Sequence, residues 1–156
     1  MTTSPESDAA ARKRLRQAGL RPTRQRILLA RRLFDGPHRH VTAAGLHAEV
    51  LGEEAGVSLA TVYNTLHQFT KAGLLRELVV DSGPSFFDTN TSHHQHFFLE
   101  ESGRLVDVPG DRVSVSGLPP APPGTTVSRI DIVVRVTGKE AEEGTASPLR
   151  RPRTLE

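Results

Sequence analysis

The sequence contains no cysteine and no tryptophan, and it has only one tyrosine in 156 residues. Without cysteine the chain has no disulfides, no thiolate zinc ligands and no cysteine nucleophile, so any metal must bind to His, Asp or Glu. Long apolar runs and a charged-then-apolar leader are also missing. Neither membrane insertion nor export is therefore indicated, and we expect a cytoplasmic protein with no membrane partner.

Positive charge is concentrated near the N-terminus. Residues 1–40 hold ten Lys or Arg against three Asp or Glu, whereas residues 41–156 hold ten against fifteen. A basic segment followed by a mildly acidic remainder favours contact between the first part and a polyanion such as nucleic acid. A solvated, arginine-rich helix face explains the same charges, so both interpretations stay open at this point.

Helix signals dominate the first half of the chain. The pattern predicts a helix that Asp8 caps and that runs through Ala11 and Leu15, and three more helices whose N-caps are Thr23, Thr42 and Ser58. The last helix, LATVYNTLHQFTKA, ends before Gly73, which suits a left-handed C-terminal cap. Two strand-like runs, LLRELVV and SFFDT, follow with a turn between them, so the order predicts a winged helix-turn-helix.

Strand signals dominate the second half. HFFLE and RLVDV predict two strands, and a longer strand is predicted from Val127 to Val136. Residues 109–124 contain five of the eleven prolines, which argues against a helix there. The fold class is therefore α+β, in four parts: a disordered arm over 1–11, a winged-helix DNA-binding domain over 12–88, a small α/β domain over 89–138 and a disordered tail over 139–156.

The fourth predicted helix carries the best candidates for reading DNA. At about 100° per residue, its apolar residues Leu59, Val62, Leu66 and Phe69 share one face and leave a polar, nearly uncharged face outside. Short uncharged side chains at the start of such a helix can touch base edges in the major groove, while arginines contact phosphates. The candidate DNA-binding residues are Arg21, Arg24, Ser58, Ala60, Thr61, Tyr63 and Asn64, with Arg26 as a further phosphate contact. An ordinary surface helix, or a winged helix that binds protein, remains the alternative.

The segment SHHQHFF, residues 92–98, brings three of the seven histidines within four residues. Side chains alternate along a strand, so His94 and His96 would share one face as a pair of metal or haem ligands. A solvated loop is the simpler interpretation of the same residues.

Four segments together resemble the ferric uptake regulator (Fur) family of metal-responsive transcription factors. They are AGLRPTRQRILLARRLF, HVTAAGLHAEV, VSLATVYNTLHQFTKAGLL and FFDTNTSHHQHFFLEESGRLVDV, and the resemblance covers about residues 14–136. HHQHFF, the absence of cysteine and the ending RIDIVVRV are most similar to the iron response regulator (Irr) branch. The resemblance implies a homodimer that binds an inverted-repeat operator in double-stranded DNA and regulates iron and haem homeostasis, with residues 89–138 serving dimerisation and sensing.

The resemblance also implies one regulatory metal site between the two domains. Its ligands would be His40, Asp88, His94, His96 and Asp107. Mixed imidazole and carboxylate ligands suit Fe(II) or Mn(II), with Zn(II) as a further candidate in vitro. The family's structural cysteine-zinc site should be absent, because Leu99 and Ser102 stand at the first cysteine pair and no cysteine exists for the second. A second family site is not expected either, because Gln95 and Ser114 replace its acids.

Haem is a second candidate ligand, through His93, His94 or His96, and it would imply a partner that delivers haem. A peroxide sensor is the main alternative, because Asp88 and Asp107 with three histidines also resemble the peroxide-responsive branch, whose bound iron oxidises a ligand histidine. From other classes, a metal-dependent hydrolase and an iron or haem carrier remain. We do not expect an enzyme, since no nucleophile or general base stands out beside the histidines.

Overall fold

The computed structural model describes residues 4–53, 56–81 and 83–140. It has a helical N-terminal domain with a small β-sheet wing and a C-terminal domain built on a second sheet, which is the mixed α+β class expected. Helices and strands follow in the order α1 (Pro5–Gln17), α2 (Arg24–Phe34), β1 (His40–Val41), α3 (Ala43–Val50), α4 (Leu59–Lys71), β2 (Arg76–Leu78), β3 (Phe86–Asp88), β4 (His94–Leu99), β5 (Arg104–Pro109) and β6 (Val133–Val136). No helix in these ranges is long and apolar enough to cross a membrane.

Helices α2, α3 and α4 begin where their caps predict. The side chains of Thr23, Thr42 and Ser58 each accept a hydrogen bond from a backbone N–H in the first turn of the following helix. These bonds satisfy N–H groups that have no partner within the helix itself. Gly73 follows α4 with a φ of 82°, a left-handed conformation that glycine adopts without strain.

Helix α1 corrects the prediction at the N-terminus. It begins at Pro5, with Ser4 at the N-cap position, rather than at a cap formed by Asp8. Proline suits the first helical position because the N–H that it lacks would be unpaired there, and the acidic side chains of the first turn face the positive end of the helix. The predicted disordered arm is therefore wrong for residues 5–11, while residues 1–3 and the tail beyond 140 lie outside the described residues.

One apolar core holds the helical domain together. Its largest fully buried side chains are those of Leu15, Leu29, Leu33, Leu46, Leu66, Phe69 and Phe87. Leu59, which was expected on the inner face of the fourth helix, is instead 47% exposed, and Leu51 is 66% exposed. Leu51 is the C-cap of α3 and Leu59 is the first residue of α4, so both lie at helix ends, outside the packed interior.

The wing is a three-stranded antiparallel sheet in the order β1-β3-β2. The β2–β3 hairpin is the one that the sequence predicts, but β1 is only two residues long and carries no strand signal of its own. Its register places His40 opposite Asp88 on β3, and Asp88 has Arg76 of β2 on its other side. This pairing brings a residue from between α2 and α3 to the end of the wing.

The second sheet has the order β5-β4-β6, with β4 antiparallel to β5 and parallel to β6. Strand β6 begins at Val133, so it is shorter than the predicted strand from Val127. Within the described part of this domain the only helical segment is the 3-10 turn Gly110–Arg112, in keeping with the prolines that follow. The buried amide of Gln95 anchors the chain before β6 by accepting a 2.7 Å hydrogen bond from the N–H of Ile132.

Candidate metal centre

Strand pairing assembles all five residues expected to bind metal. His40 lies directly opposite Asp88 across β1 and β3, and His96 lies directly opposite Asp107 across β4 and β5. His94 is two residues before His96 and so projects from the same face of β4. One ligand atom from each side chain lies within 4.8 Å of every other. Residues far apart in sequence thus form one compact cluster, which we call the His/Asp cluster.

Each imidazole of the His/Asp cluster faces both carboxylates through its Nε2 atom. The Nε2 atoms of His40, His94 and His96 lie 3.1, 2.8 and 3.0 Å from Oδ2 of Asp88. The same three atoms lie 2.9, 3.4 and 3.4 Å from Oδ1 of Asp107. Every one of the three nitrogens therefore lies close to both carboxylate oxygens, within one compact group of five ligand atoms.

These separations fit a shared divalent ion. Imidazole nitrogen and carboxylate oxygen bind such ions at about 2.1 Å, so two ligand atoms at right angles around one ion lie about 3.0 Å apart. The six N–O separations fall between 2.8 and 3.4 Å. Nε2 of His40 is also buried, and its close contacts with the two carboxylate oxygens do not have the geometry of hydrogen bonds. A metal ion would satisfy this atom, whereas neighbouring protein groups do not.

The hydrogen bonds behind the cluster point the ligand atoms inward. Nδ1 of His94 lies 2.8 Å from the carbonyl oxygen of Ser92, which can only accept, so Nδ1 carries the proton. In the neutral ring Nε2 is then an acceptor that faces another acceptor, Oδ2 of Asp88, and either a second proton or a metal ion must lie between them. The other oxygen of Asp88 accepts a 2.8 Å bond from the N–H of Asn90. Such outer bonds fix the tautomer and the orientation of metal ligands.

Burial and charge act in opposite directions on the two ligands of the wing sheet. Burial raises the pKa of Asp88, but contacts with His40 and His96 and the bond from Asn90 outweigh it and hold the pKa far below its usual range. Burial lowers the pKa of His40, whereas contact with Asp88 and the charges of Asp88 and Asp107 raise it, and the net shift is upward. Asp88 is therefore ionised, as a metal ligand must be.

The three histidines considered for haem lie in different environments. His94 and His96 are only 3% and 1% exposed, and their Nε2 atoms face the two carboxylates. His93 is exposed and outside the cluster, with its ring against Gly110. The nearby rings of Phe86 and Phe98 pack on each other with centroids 6.3 Å apart. The buried pair is thus arranged for an ion among carboxylates, and only His93 presents a free imidazole.

The residues proposed to contact DNA lie on two surfaces of the helical domain. Ala60, Tyr63 and Asn64 are exposed on the outer side of α4, whereas Thr61 is half-buried and its hydroxyl lies 2.9 Å from that of the cap Ser58. Tyr63 rests edge-on against His67 of the same helix, at 4.4 Å between ring centroids. The remaining candidates, Arg21 and Arg24, are exposed just before and at the start of α2.

The structure also identifies residues that sequence reasoning missed or misplaced. Arg26 was expected to contact phosphate, but its guanidinium donates to Oε1 of Gln68 on α4 and to the carbonyl oxygen of Arg21. This side chain ties α2 to the helix proposed to read DNA. Exposed cations on α1 were not singled out, although α1 carries Arg12, Lys13 and Arg16. Their position opposite the buried Ala11 and Leu15 was readable from the helical period.

A sequence profile for the Ferric uptake regulator family matches residues 17–117, about two thirds of the chain. The chain belongs to the ferric uptake regulator family. Its sequence is 39% identical over 93 residues to the peroxide-responsive repressor PerR of Staphylococcus aureus strain Mu50, and the match covers 60% of this chain and 62% of that repressor. PerR of strain USA300 matches over the same share of each chain. The iron response branch remains a prediction, since these relatives are peroxide-responsive repressors.

Solved structures of the family share the fold of this chain. The ferric uptake regulator of Pseudomonas aeruginosa with manganese matches with a TM-score of 0.61 at 24% identity, over 83% of this chain and 98% of that one. The ferric uptake regulator of Vibrio cholerae matches with a TM-score of 0.60 at 20% identity, over 81% and 98%. At these identities the likeness establishes the fold alone.

Proposed function

We propose that this protein is a metal-responsive, DNA-binding transcriptional regulator of the ferric uptake regulator family. The observation that carries the proposal is the convergence of three imidazole nitrogens and two carboxylate oxygens from both domains. His40 and Asp88 belong to the wing sheet, whereas His94, His96 and Asp107 belong to the second sheet. A ligand set divided in this way couples the position of the helical domain to metal.

Coupling follows from differential affinity. A bound divalent ion would supply one positive centre that all five side chains share, and only one relative placement of the two domains allows that. His40 and Asp88 then hold the wing against β4, so the conformer with all five ligands in reach is favoured over others by its tighter binding. The helical domain takes a fixed orientation, and α4 with it.

Fe(II) or Mn(II) is the proposed native metal, with Zn(II) as a further ion that the ligands accept. Geometry and availability decide among such ions when all ligands are imidazole or carboxylate. Regulation of iron homeostasis is proposed on this basis. Haem is the weaker proposal, because the histidines best placed by sequence, His94 and His96, are buried with Nε2 facing carboxylates. A haem-delivering partner is proposed only if His93 binds haem.

We propose a homodimer, because the second sheet has an uncovered apolar stripe. Phe97 on β4 pairs in register with Val106 on β5 and Val134 on β6. All three side chains are more than a third exposed. Three adjacent apolar side chains on one sheet face are a natural surface for a second copy. Two helical domains on one symmetric core would read an inverted repeat.

The proposed reading surface is the exposed side of α4, residues 58–64, with Arg21 and Arg24 on phosphates. Asn64→Ala should relax preference at one base position by about 1–3 kcal/mol. Arg21→Ala should weaken binding to all sequences about equally and lower the dependence on salt. Binding to a randomised duplex library at two salt concentrations separates the two effects. Unchanged selection in both variants would show that α4 does not read DNA.

The decisive experiment measures operator affinity and metal occupancy in the same titration. Full-length protein is titrated with Mn(II), Fe(II) without oxygen, or Zn(II), against a duplex selected from the library. The double variant His94→Ala with His96→Ala should lose the metal dependence of DNA binding while keeping its fold. His93→Ala is the matched control, because it removes an adjacent exposed histidine outside the cluster. If the double variant still responds to metal, the sensing site lies elsewhere in the protein.

Peroxide sensing is the second proposed function. It is supported by the 39% identity to a peroxide-responsive repressor and by a ligand set whose acids are both aspartates. Five protein ligands would leave one position of a six-coordinate ion for an oxidant. Iron-loaded protein exposed to peroxide should then gain one oxygen atom on His40 or His94 and release DNA, as read by peptide mass spectrometry. DNA release without any modified histidine would exclude this route.

We propose no enzymatic activity. Hydrolytic metal sites commonly use three protein ligands and keep an open position for water, whereas five side chains converge here. A screen of metal-loaded protein against esters and phosphodiesters should give no turnover. An iron or haem carrier without DNA function is tested by the same library binding as the regulator, since a carrier would select no duplex.

A further inference from the structure

A second polar cavity lies between the two domains, on the side of β2 away from β1. Its volume is about 390 Å³. The end of α4 and strand β2 form one wall. The segment that precedes β4 and the segment that precedes β6 form the other. Two arginines, one histidine and three hydroxyl groups line it. These residues are Thr70, Arg76, Thr91, Ser92, His93 and Arg129.

Arg76 is the unusual residue of this cavity. Its side chain is only 7% exposed, and its Nε atom is buried without a hydrogen-bond partner among the described residues. Burial lowers the pKa of Arg76, and the nearby charge of Arg129 lowers it further. A buried guanidinium with an unused donor next to a second guanidinium is costly unless negative charge is close by.

Asp131 supplies part of that negative charge. Its two oxygens are shared, because Oδ1 accepts from Nη2 of Arg76 and Oδ2 accepts a 2.9 Å bond from Nε of Arg129. Each guanidinium has five N–H donors, so both arginines keep donors beyond the one used on Asp131. One carboxylate thus bridges two cations, and several of their N–H donors remain unused.

The C-terminal end of α4 lies at the cavity and opposes the binding of an anion there. Thr70 and Gly73 lie at the C-terminus of α4, where a helix carries roughly half a negative charge. The charge of Asp88 also acts on Arg76, but the Asp88 carboxylate faces the three histidines of the His/Asp cluster and does not line the cavity. None of the described residues that line the cavity is acidic.

We propose that this cavity binds a small tetrahedral oxyanion, of the phosphate or sulfate class, between Arg76 and Arg129. Guanidinium groups match such oxygens with paired, charge-assisted bonds, and the hydroxyl group of Thr91 adds a donor at the opposite wall. The site is separate from the His/Asp cluster and uses none of its ligands. Because Arg129 lies before β6 and Arg76 on the wing, the bound ion joins the same two domains as the metal.

The test is calorimetric titration of full-length protein with inorganic sulfate, which does not precipitate manganese, at constant chloride and with Mn(II) present. We expect saturable binding of one ion per chain. Arg129→Gln should weaken it roughly tenfold, because charge-assisted bonds are lost from a side chain that is half exposed and not needed for packing. Arg104→Gln is the charge-matched control, since that exposed arginine pairs with Glu140 outside the cavity.

Asp131→Asn gives a prediction of opposite sign. It removes the carboxylate that competes for both arginines, so sulfate should bind several times more tightly. No saturable binding, equal weakening by Arg129→Gln and Arg104→Gln, or unchanged affinity in Asp131→Asn would each overturn the proposal. In a last experiment the titration is repeated with saturating duplex DNA. Unchanged sulfate binding supports a free ion as the ligand. Displacement of sulfate would show that the arginines bind the DNA backbone, and the proposed ion site would be wrong.

Discussion

The two domains bury different kinds of side chain. The helical domain has a continuous core of fourteen buried apolar residues that runs from α1 to the wing. From His94 onward the described residues include one buried apolar side chain, Leu105, while the buried polar ones are His94, Gln95 and His96. Hydrophobic burial is therefore the main stabilising contribution in the first domain, whereas the interior of the second is held largely by polar contacts.

This difference fits the proposal that one chain both reads DNA and senses metal. A domain with an independent apolar core keeps α4 in shape whether or not ligand is bound. A domain whose interior is a set of imidazoles and carboxylates gains much of its order when those groups are neutralised by an ion.

Removing a large side chain from the apolar core should have the greatest effect. Phe69 on α4 is fully buried and lies 6.4 Å from Phe34 between ring centroids. Phe69→Ala should destabilise the helical domain by about 3–5 kcal/mol, through lost burial and the cavity left behind. Urea unfolding followed by circular dichroism measures this, and added metal should not restore the loss. Tyr63→Ala, on the exposed side of the same helix, is the control and should change stability little.

Metal removal should loosen the second domain selectively. An ion at a hundred times its dissociation constant stabilises the state that binds it by about 2.7 kcal/mol. Chelation should therefore speed amide hydrogen exchange across β4 (His94–Leu99) and β5, while the amides of α4 keep their protection. His96→Ala should reproduce the chelated pattern with metal present. Equal loss of protection in both domains would show that the metal supports the whole chain, and the comparison would fail.

Much of the helical domain could be predicted from local chemistry. Caps such as Thr23 and Ser58 act within one turn, and the 3.6-residue period selects Val62, Leu66 and Phe69 for the core without knowledge of the tertiary structure. The strands carry less local information. Two residues at 40–41 are too few for a period-two signal, so β1 follows only from its pairing with β3.

The candidate site was predicted as a set of ligands but not as an arrangement. His94 and His96 follow from alternation on a strand, whereas His40, Asp88 and Asp107 came from resemblance to the family. Strand register explains why these three join the pair, because His40 faces Asp88 and His96 faces Asp107. The contacts of Arg26, Arg76 and Asp131 have no local signal at all, since each links segments that are distant in sequence.

Gly110 tests how tightly the second domain is packed at the start of β4. A β-carbon at this position would lie 2.3 Å from Cδ2 and 2.8 Å from the backbone oxygen of His93. Gly110→Ala should therefore displace His93 and the neighbouring ligand His94, with a stability loss of about 1–3 kcal/mol and weaker metal binding. Gly52→Ala is the control, because nothing lies within 4 Å of its added carbon. Metal titration and thermal unfolding of both variants measure the difference. Similar stability and metal affinity in the two variants would mean that the start of β4 accommodates an added β-carbon.

The smallest effect is expected at Arg26, on the surface of the well-packed domain. Its guanidinium donates to Oε1 of Gln68 at 2.8 and 3.3 Å and so joins α2 to the outer side of α4. Arg26→Met keeps the aliphatic stem and removes these bonds, and since the contact is solvent-exposed the loss should be about 0.5–1 kcal/mol. Gln68→Met should cost less, because Arg26 also donates to the carbonyl oxygen of Arg21, and the double variant should lose little more than Arg26→Met alone.

A double-mutant cycle on unfolding free energy measures this coupling. DNA affinity should fall no further than stability predicts if Arg26 only ties the two helices. A uniform loss of affinity with a lower salt dependence, in Arg26→Met but not in Gln68→Met, would instead show that Arg26 leaves Gln68 to contact a phosphate. In that case part of the DNA-binding surface would form only when DNA binds. The helical domain would then also be ordered in part by its ligand, as is proposed for the second domain.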